Sequence, residues 1–385
     1  MLAADSPFFF DPFAAYENGW VTNPNMFTCG APGFRKSTLV KTALWRMHAI
    51  YGTRRYLAVL DPKGEYSALA EAMGMPLVAL RPGGNVRLNP LDGDRSIESV
   101  QRQVRMVTAL LDTAARSTEG HRLSTSERTA VRAAVTVALS QPGPTLADVV
   151  GLLRHPTEVS AQVGQLSVER LATDGDRVTQ VAEEMLSGPL AGMFDGPSTV
   201  KLSMDDPGVV IDLSSVFDDE EALPLVMLAT TGWLTELRTA AALGKQWIQV
   251  LDECWAILSH EASARYLQSS WKLGRTHGVA NWMIAHKPAD LAAQSADGTS
   301  TSKIADGLLA DTATRITLHQ EADALPDAQV RLGLNDHETD LVGQLVAGRA
   351  HWRIGDHTAV VQHVLAPSEM RLVDTDANMR ADGEG

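Results

Sequence analysis

The residues with the clearest chemical potential form a short glycine-containing segment early in the chain. Residues 30–37 read Gly-Ala-Pro-Gly-Phe-Arg-Lys-Ser and lie between an apolar, strand-like segment, Met26–Cys29, and a helix-like one. In this context backbone N–H groups can surround phosphate oxygens, the lysine can contact the β- and γ-phosphates, and the hydroxyl can ligate Mg²⁺. The segment predicts a nucleotide site, with Ser37 also a metal ligand, made of Gly30, Ala31, Pro32, Gly33, Phe34, Arg35, Lys36, Ser37 and Thr38.

One residue departs from the usual pattern of such a loop. Arg35 occupies the position of its second glycine, where the absence of a Cβ lets the backbone approach the phosphates. Two outcomes follow: Arg35 turns outward or adds charge to the phosphates, or the loop binds nucleotide weakly. On this segment alone, a phosphate site and an ordinary Gly-Pro turn are about equally good interpretations.

A second segment supplies the carboxylates that nucleotide hydrolysis needs. The apolar segment Ile248–Leu251 ends in Asp252 and Glu253. Asp252 is the predicted Mg²⁺ ligand, through water, and Glu253 the predicted base that orients or deprotonates the attacking water. The alternative is a strand that leads into a helix N-terminus, where acidic residues favour the helix dipole. The phosphate loop upstream makes the nucleotide interpretation the better one.

The elements that must position these residues alternate between strand-like and helix-like segments, which predicts an α/β fold with a largely parallel sheet. We predict the first part of the core over residues 1–95 and its second part over 206–373. Residues 96–205 have helical apolar spacings and no strand signal, so they predict an all-helical insertion. Residues 7–25 are expected to be irregular, and 374–385 to form a flexible tail.

Several further motifs give these residues a family context. They are Asp61–Tyr66 (DPKGEY), Arg87–Asp92 (RLNPLD), Asp252–Trp255 (DECW), Gly274–Gly278 (GRTHG) and Gly348–Asp356 (GRAHWRIGD). With the phosphate loop, they resemble the FtsK–HerA superfamily of P-loop ATPases, and within it the ATPases of conjugative type IV secretion, of the TraC and TrbE type. The likeness extends from Phe10 to Met379.

The resemblance implies a RecA-like core, ATP and Mg²⁺ as cofactors, and a hexameric ring with nucleotide between subunits. It makes His286 a candidate catalytic residue beside Glu253, at a position where many relatives carry a sensor glutamine. It also makes Arg275 the first candidate for an arginine that completes the neighbouring subunit's site, ahead of Arg349 and Arg353. The implied function is ATP hydrolysis that powers assembly of, or passage through, a conjugative secretion channel. Membrane-embedded channel components are the implied partners.

Composition limits the remaining alternatives. The net charge of −14 argues against a general nucleic-acid coat, which needs a basic face, although DNA remains a possible substrate. No apolar run is long enough to span a membrane, and two isolated cysteines suit a reducing compartment. We therefore expect a cytoplasmic protein that partners hold at the inner face of the membrane. A HerA- or FtsK-like pump for duplex DNA and a degenerate, structural ring subunit stay open as alternatives.

Overall fold

The structure is a computed structural model that describes residues 6–240, 245–274, 277–291 and 300–373. These residues contain nine strands: β1 (Met26–Cys29), β2 (Arg55–Asp61), β3 (Leu77–Ala79), β4 (Gly208–Asp212), β5 (Gln246–Leu251), β6 (Val279–Ala285), β7 (Thr314–Thr317), β8 (Arg349–Ile354) and β9 (His357–Gln362). They form one sheet in the order β3-β4-β2-β5-β6-β1-β7-β8-β9. The pairs from β3 to β7 are parallel and those of β8 are antiparallel. The predicted α/β fold with a mostly parallel sheet is confirmed.

Helices cover both faces of this sheet. The described residues contain α1 (Pro12–Glu17), α2 (Lys36–Tyr51), α3 (Ser67–Met73), α4 (Ile97–Glu119), α5 (Thr125–Leu139), α6 (Leu146–Arg154), α7 (Glu158–Gly164), α8 (Val168–Ser187), α9 (Ala222–Ala240), α10 (Trp255–Leu258), α11 (Glu261–Gly274), α12 (Ser300–Ala310), α13 (Leu325–Leu332), α14 (Asp336–Gln344) and α15 (Pro367–Val373). None of these helices is long and apolar enough to span a lipid bilayer.

Strand β2 shows how the sheet separates two hydrophobic cores. All seven of its residues are buried, and successive side chains point to opposite faces. Tyr56, Ala58 and Leu60 pack into the core that contains residues of α4, α5, α8 and α9. Leu57 and Val59 pack into the core that contains residues of α2 and α3. A strand buried on both faces reads as a continuous apolar run, as expected for a parallel sheet.

The segment between β3 and β4 contains helices α4–α8 and no strand. Its helix starts are fixed by side-chain caps: Ser96 accepts from the Ser99 amide, and Ser124 and Glu127 form a capping box. Such caps satisfy amides that the first turn leaves without partners. The segment packs against α9 and α11 through α4. The predicted bounds of this helical insertion, residues 96–205, stay a prediction.

The expected irregular lead-in is wrong in part, because residues Pro12–Glu17 form α1. The Ala14 amide donates to Asp11 Oδ1 over 2.8 Å, and proline at the first helical position already has a helical φ. Asp11 also forms an ion pair with Arg55 at the start of β2. These contacts hold a short helix that has little apolar periodicity of its own.

Candidate functional site

The phosphate-loop segment follows β1 and is tied to the two neighbouring strands. The Gly30 amide donates to the carbonyl of His286 (3.1 Å), just after β6, and the Ala31 amide donates to the carbonyl of His319 (2.9 Å), just after β7. A Cβ added to Gly30 would lie 2.7 Å from Cβ of Leu318. Glycine is therefore required at position 30, because any side chain there would collide with Leu318, the residue that follows β7.

Arg35 adopts a backbone conformation that favours glycine. Its φ and ψ are 67° and 32°, in the left-handed region, which costs a residue with a Cβ roughly 1–2 kcal/mol. The residue is exposed, and a Cβ added to Gly348, just before β8, would lie 3.8 Å from its Cδ. The side chain is exposed, and whether it contributes charge to the phosphates or weakens nucleotide binding stays a prediction. The loop keeps its turn geometry at a cost in strain.

Helix α2 presents an open N-terminus beside this loop. It begins at Lys36 without a side-chain cap, so amides of its first turn are available to an anion, and the helix dipole favours negative charge there. Ser37 and Thr38 are half-buried, and their hydroxyls make no hydrogen bond within the described residues. An uncapped helix start with two available hydroxyls fits phosphate and Mg²⁺ binding.

Lys36 connects the helix start to the end of β6. Its ammonium donates to the carbonyl of Ala285 over 3.1 Å and lies 2.9 Å from Nδ1 of His286. Burial lowers the pKa of Lys36, while the charges of Asp252 and Glu253 oppose that change. The lysine is thus a buried cation with acidic neighbours, ready to exchange its contacts for phosphate oxygens.

Asp252 lies at the end of β5 and is almost fully buried. The hydroxyl of Tyr66 donates to its Oδ2 over 3.1 Å, and the amide of Glu253 donates to Oδ1 over 3.0 Å. Burial, with the charge of Glu253, raises its pKa, and Lys36 opposes this. No group of three or more potential metal-binding side chains occurs in the part of the chain that is described.

Glu253 has both carboxylate oxygens engaged. Oε1 lies 2.5 Å from Nζ of Lys63 and 3.1 Å from Nε2 of His286, and Oε2 accepts from the Trp255 indole over 2.6 Å. Burial by itself would raise the pKa of Glu253, but the hydrogen bonds from His286 and Lys63 outweigh burial and hold the pKa well below its ordinary value. The backbone of Glu253 is also left-handed, with φ 47°. This carboxylate is charged and held in one position.

The two ring nitrogens of His286 face different partners. Lys36 can only donate, so Nδ1 accepts from it, and Glu253 can only accept, so Nε2 carries the proton that it shares with the carboxylate. This tautomer is assigned from the partners. Nζ of Lys63 lies 3.4 Å from Nε2, but in this tautomer both groups are donors and cannot bond to each other. The Lys63 ammonium binds Glu253 instead. His286 therefore links the lysine of the phosphate loop to the predicted base.

Comparisons with known proteins agree on the fold. No protein-family model and no curated protein matches the sequence. VirB4 of Thermoanaerobacter pseudethanolicus matches with a TM-score of 0.71 and 17% identity over 91% of each chain. The bacterial conjugative coupling protein TrwB matches with a TM-score of 0.62 and 14% identity, over 89% of this chain and 84% of its own. The chain has the fold of VirB4 and TrwB.

The predicted resemblance to conjugative-transfer ATPases is thereby confirmed at the level of the fold. Other TrwB structures are complexes with ADP and Mg²⁺ (TM-score 0.63, 16% identity, 89% of this chain and 85% of that one) and with the ATP analogue ADPNP (0.62, 13%, the same coverage). Nucleotide and Mg²⁺ thus bind a protein of the VirB4 and TrwB fold.

Within this fold the predicted site residues divide into two groups. Lys36, Asp252, Glu253 and His286 come together, although they lie at two separate strand ends, those of β5 and β6, and at the start of one helix, α2. Arg275 lies outside the described residues. Of the other candidate arginines, Arg349 donates to Gln362 (2.8 Å) across the β8–β9 hairpin, and Arg353 donates to Glu338 (2.6 Å) at α14. Their roles in a neighbouring subunit stay predictions.

The sequence analysis missed three polar residues at this edge. Lys63 had no assigned role. The ring of His319 stacks on Phe34 of the phosphate loop, with centroids 4.1 Å apart, and the amide of Gln320 donates to the carbonyl of His286 over 3.2 Å. A signal was present, because His319 and Gln320 directly follow the strand-like residues 315–318 (RITL). Side chains at the carboxyl ends of neighbouring parallel strands meet at one edge.

Proposed function

We propose that this chain is an ATP-hydrolysing motor subunit that powers a conjugative type IV secretion or DNA-transfer apparatus. One observation carries the proposal: Lys36, Asp252, Glu253 and His286 converge beside an uncapped helix N-terminus. The support from comparison is a fold shared with VirB4 over 91% of both chains, at a TM-score of 0.71. The convergence favours phosphate chemistry, and the shared fold favours conjugative transfer.

Each residue has a role that its position supports. The segment Gly30–Thr38 cradles the phosphates, and Lys36 exchanges its contacts with His286 and Ala285 for phosphate oxygens. Ser37 and Asp252 hold Mg²⁺, which when bound neutralises charge on the phosphates. Glu253 orients or deprotonates the attacking water, and His286 positions it.

The remaining parts of the proposal concern assembly. The chain acts as a homo-oligomer, a hexameric ring, in which Arg275 of one subunit completes the nucleotide site of the next. Membrane-embedded channel components hold the ring at the inner face of the membrane. Its translocated substrate is DNA or protein.

A degenerate, nucleotide-binding ring subunit is the second candidate function. The left-handed backbone of Arg35 favours it, because strain in the phosphate loop opposes the placement of the triphosphate that hydrolysis needs. A pump that acts directly on duplex DNA is less favoured, since the net charge of −14 provides few basic groups for a pore.

ATP turnover by the full chain, with and without duplex DNA, tests these functions. The proposal predicts steady turnover that Lys36→Ala abolishes, with a modest effect of DNA at most. Strong stimulation by duplex DNA would favour the pump. Tight binding of Mg·ADPNP without turnover, together with a gain of turnover on Arg35→Gly, would favour the degenerate subunit.

A further inference from the structure

Lys63 makes a contact that the proposed function does not use. It lies in the turn between β2 and α3, where the Asp61 carboxylate accepts the amides of Glu65 (3.0 Å) and Tyr66 (2.9 Å) and so fixes the turn. From this turn the Lys63 ammonium reaches Oε1 of Glu253 at 2.5 Å. On its other side it lies 5.6 Å from the centroid of the Phe217 ring. Lys63 therefore joins the DPKGEY motif directly to the predicted base.

This contact opposes the role proposed for Glu253. A general base must offer a carboxylate oxygen to the water that it activates. Only 3% of the Glu253 side chain is exposed, Oε1 is covered by Lys63 and His286, and Oε2 by Trp255. A water molecule can reach Oε1 only after one of its two donors has moved.

Lys63 is the donor with freedom to move. The two donors are almost equally exposed, with 30% of the side chain for Lys63 and 31% for His286. His286, however, is held at both ring nitrogens, by Lys36 and by Glu253, whereas the Lys63 ammonium lies at the end of a long, flexible side chain. Lys63 Nζ also lies 3.4 Å from His286 Nε2, and the opposite nitrogen of that ring is 2.9 Å from Lys36 Nζ. The predicted phosphate site is therefore near enough for its negative charge to attract the Lys63 ammonium.

We infer that Lys63 is a positioning residue that keeps water from the Glu253 carboxylate. Bound nucleotide attracts Lys63 away from Glu253 and so makes the carboxylate accessible to water. The inference rests on the proposed function, because it takes Glu253 as the base. The DPKGEY turn thus controls hydrolysis through the Lys63–Glu253 ion pair, which we call the latch. Any movement of the turn, including one transmitted through Phe217, changes the rate without touching the nucleotide.

A double-mutant cycle on nucleotide affinity tests the latch without requiring hydrolysis. Dissociation constants for Mg·ADPNP are measured by calorimetry for wild type, Lys63→Gln, Glu253→Gln and the double variant. Only wild type contains both charged members of the ion pair. If nucleotide breaks the pair, only wild type therefore loses the energy of that interaction on binding. The product of the wild-type and double-variant constants then exceeds the product of the two single-variant constants by about fivefold or more.

The possible results separate the latch from the proposed function. Equal products mean that the ion pair persists with nucleotide bound, and they overturn the latch alone. If none of the four proteins binds Mg·ADPNP, both the latch and the proposed function are wrong. If wild type binds the analogue but hydrolyses no ATP, the proposed function fails, and the latch on hydrolysis fails with it even where the cycle shows that nucleotide breaks the ion pair.

Kinetics give a second, independent readout. Lys63→Gln should leave kcat within about twofold of wild type, since bound nucleotide has already drawn Lys63 from the base when hydrolysis occurs. Lys63→Arg keeps the charge, and the wild-type excess should persist when the cycle is repeated with Lys63→Arg in place of wild type. The matched control is Lys201→Gln, at an exposed lysine before β4. A kcat changed about threefold or more in Lys63→Gln and not in Lys201→Gln would mean that Lys63 acts on the base while nucleotide is bound, and it would overturn the latch.

Discussion

Nζ of Lys36 lies 2.9 Å from Nδ1 of His286, a contact between residues 250 positions apart in the sequence. Lys36 begins α2 and His286 follows β6, so the contact spans the boundary between β1 and β6, which pair in parallel. Because Nε2 of the same ring contacts Glu253 at 3.1 Å, His286 contacts both the lysine of the phosphate loop and the predicted base.

We predict that His286→Gln keeps ATP turnover and that His286→Ala does not. A glutamine amide can accept from Lys36 and donate to Glu253, as the imidazole does, so turnover should stay within about fivefold of wild type. Alanine removes both contacts, and a loss of about tenfold is expected, smaller than the roughly 10²–10⁴-fold contribution of a group that itself transfers a proton. Steady-state kinetics check this. Equal rates for the two variants would show that His286 is only a surface residue at a strand end.

Replacement of Arg35 by glycine should stabilise the protein. The left-handed backbone costs roughly 1–2 kcal/mol for a residue with a Cβ, and glycine returns roughly 0.5–1 kcal/mol of that through its unfolded-state entropy. We expect the free energy of unfolding, measured with urea, to rise by up to about 1 kcal/mol.

Gln165→Gly is the matched control for that experiment. Gln165 is exposed, ends α7, and has φ 56° and ψ 38°, so the same relief of strain is expected far from the nucleotide site. Gln165→Gly should leave ATP turnover unchanged. A clear loss of stability in Arg35→Gly alone would mean that contacts of the Arg35 side chain outweigh the strain.

His363 should make stability depend on pH. Burial, with the nearby Arg46 charge, lowers the pKa of His363 to about 4, and its Nε2 has no hydrogen-bond partner among the described residues. The folded state therefore disfavours the protonated ring. This contribution to stability is fully present above the unfolded pKa near 6.5 and is lost as pH falls from there towards 4, by roughly 2–3 kcal/mol.

Urea denaturation of wild type and His363→Gln between pH 7 and 4 measures this contribution. The variant should lose less stability than wild type over that range, because glutamine does not titrate. His337→Gln, at an exposed histidine, is the control for the substitution itself. Parallel pH profiles of wild type and His363→Gln would contradict the prediction.

Much of the fold could be predicted because its strands are short apolar runs that end in turn or polar residues. The segment Met26–Cys29 matches β1 in both bounds. Helices with little apolar periodicity are harder to place. The apolar spacing of α8 is clear only from Arg177 onward, whereas the helix begins nine residues earlier, at Val168. Its start depends on a cap from Ser167, a local contact that apolar spacing does not report.

The site shows a similar division. Lys36, Asp252 and Glu253 could be assigned because each lies in a local motif. The contact of Lys63 with Glu253 could not, since it depends on β2 pairing with β5, and strand order is not encoded in either motif. The double contact of His286 depends in the same way on β6 lying between β5 and β1.

The central claim is that Glu253 activates water for ATP hydrolysis at the site beside α2. The most direct test measures ATP turnover and Mg·ADPNP affinity for wild type, Glu253→Gln and the control Glu71→Gln, at an exposed glutamate on α3. We predict steady turnover by wild type and Glu71→Gln, and a loss of about 100-fold or more in Glu253→Gln without weaker binding. Equal turnover by wild type and Glu253→Gln, or none by a wild type that binds the analogue, would contradict the claim.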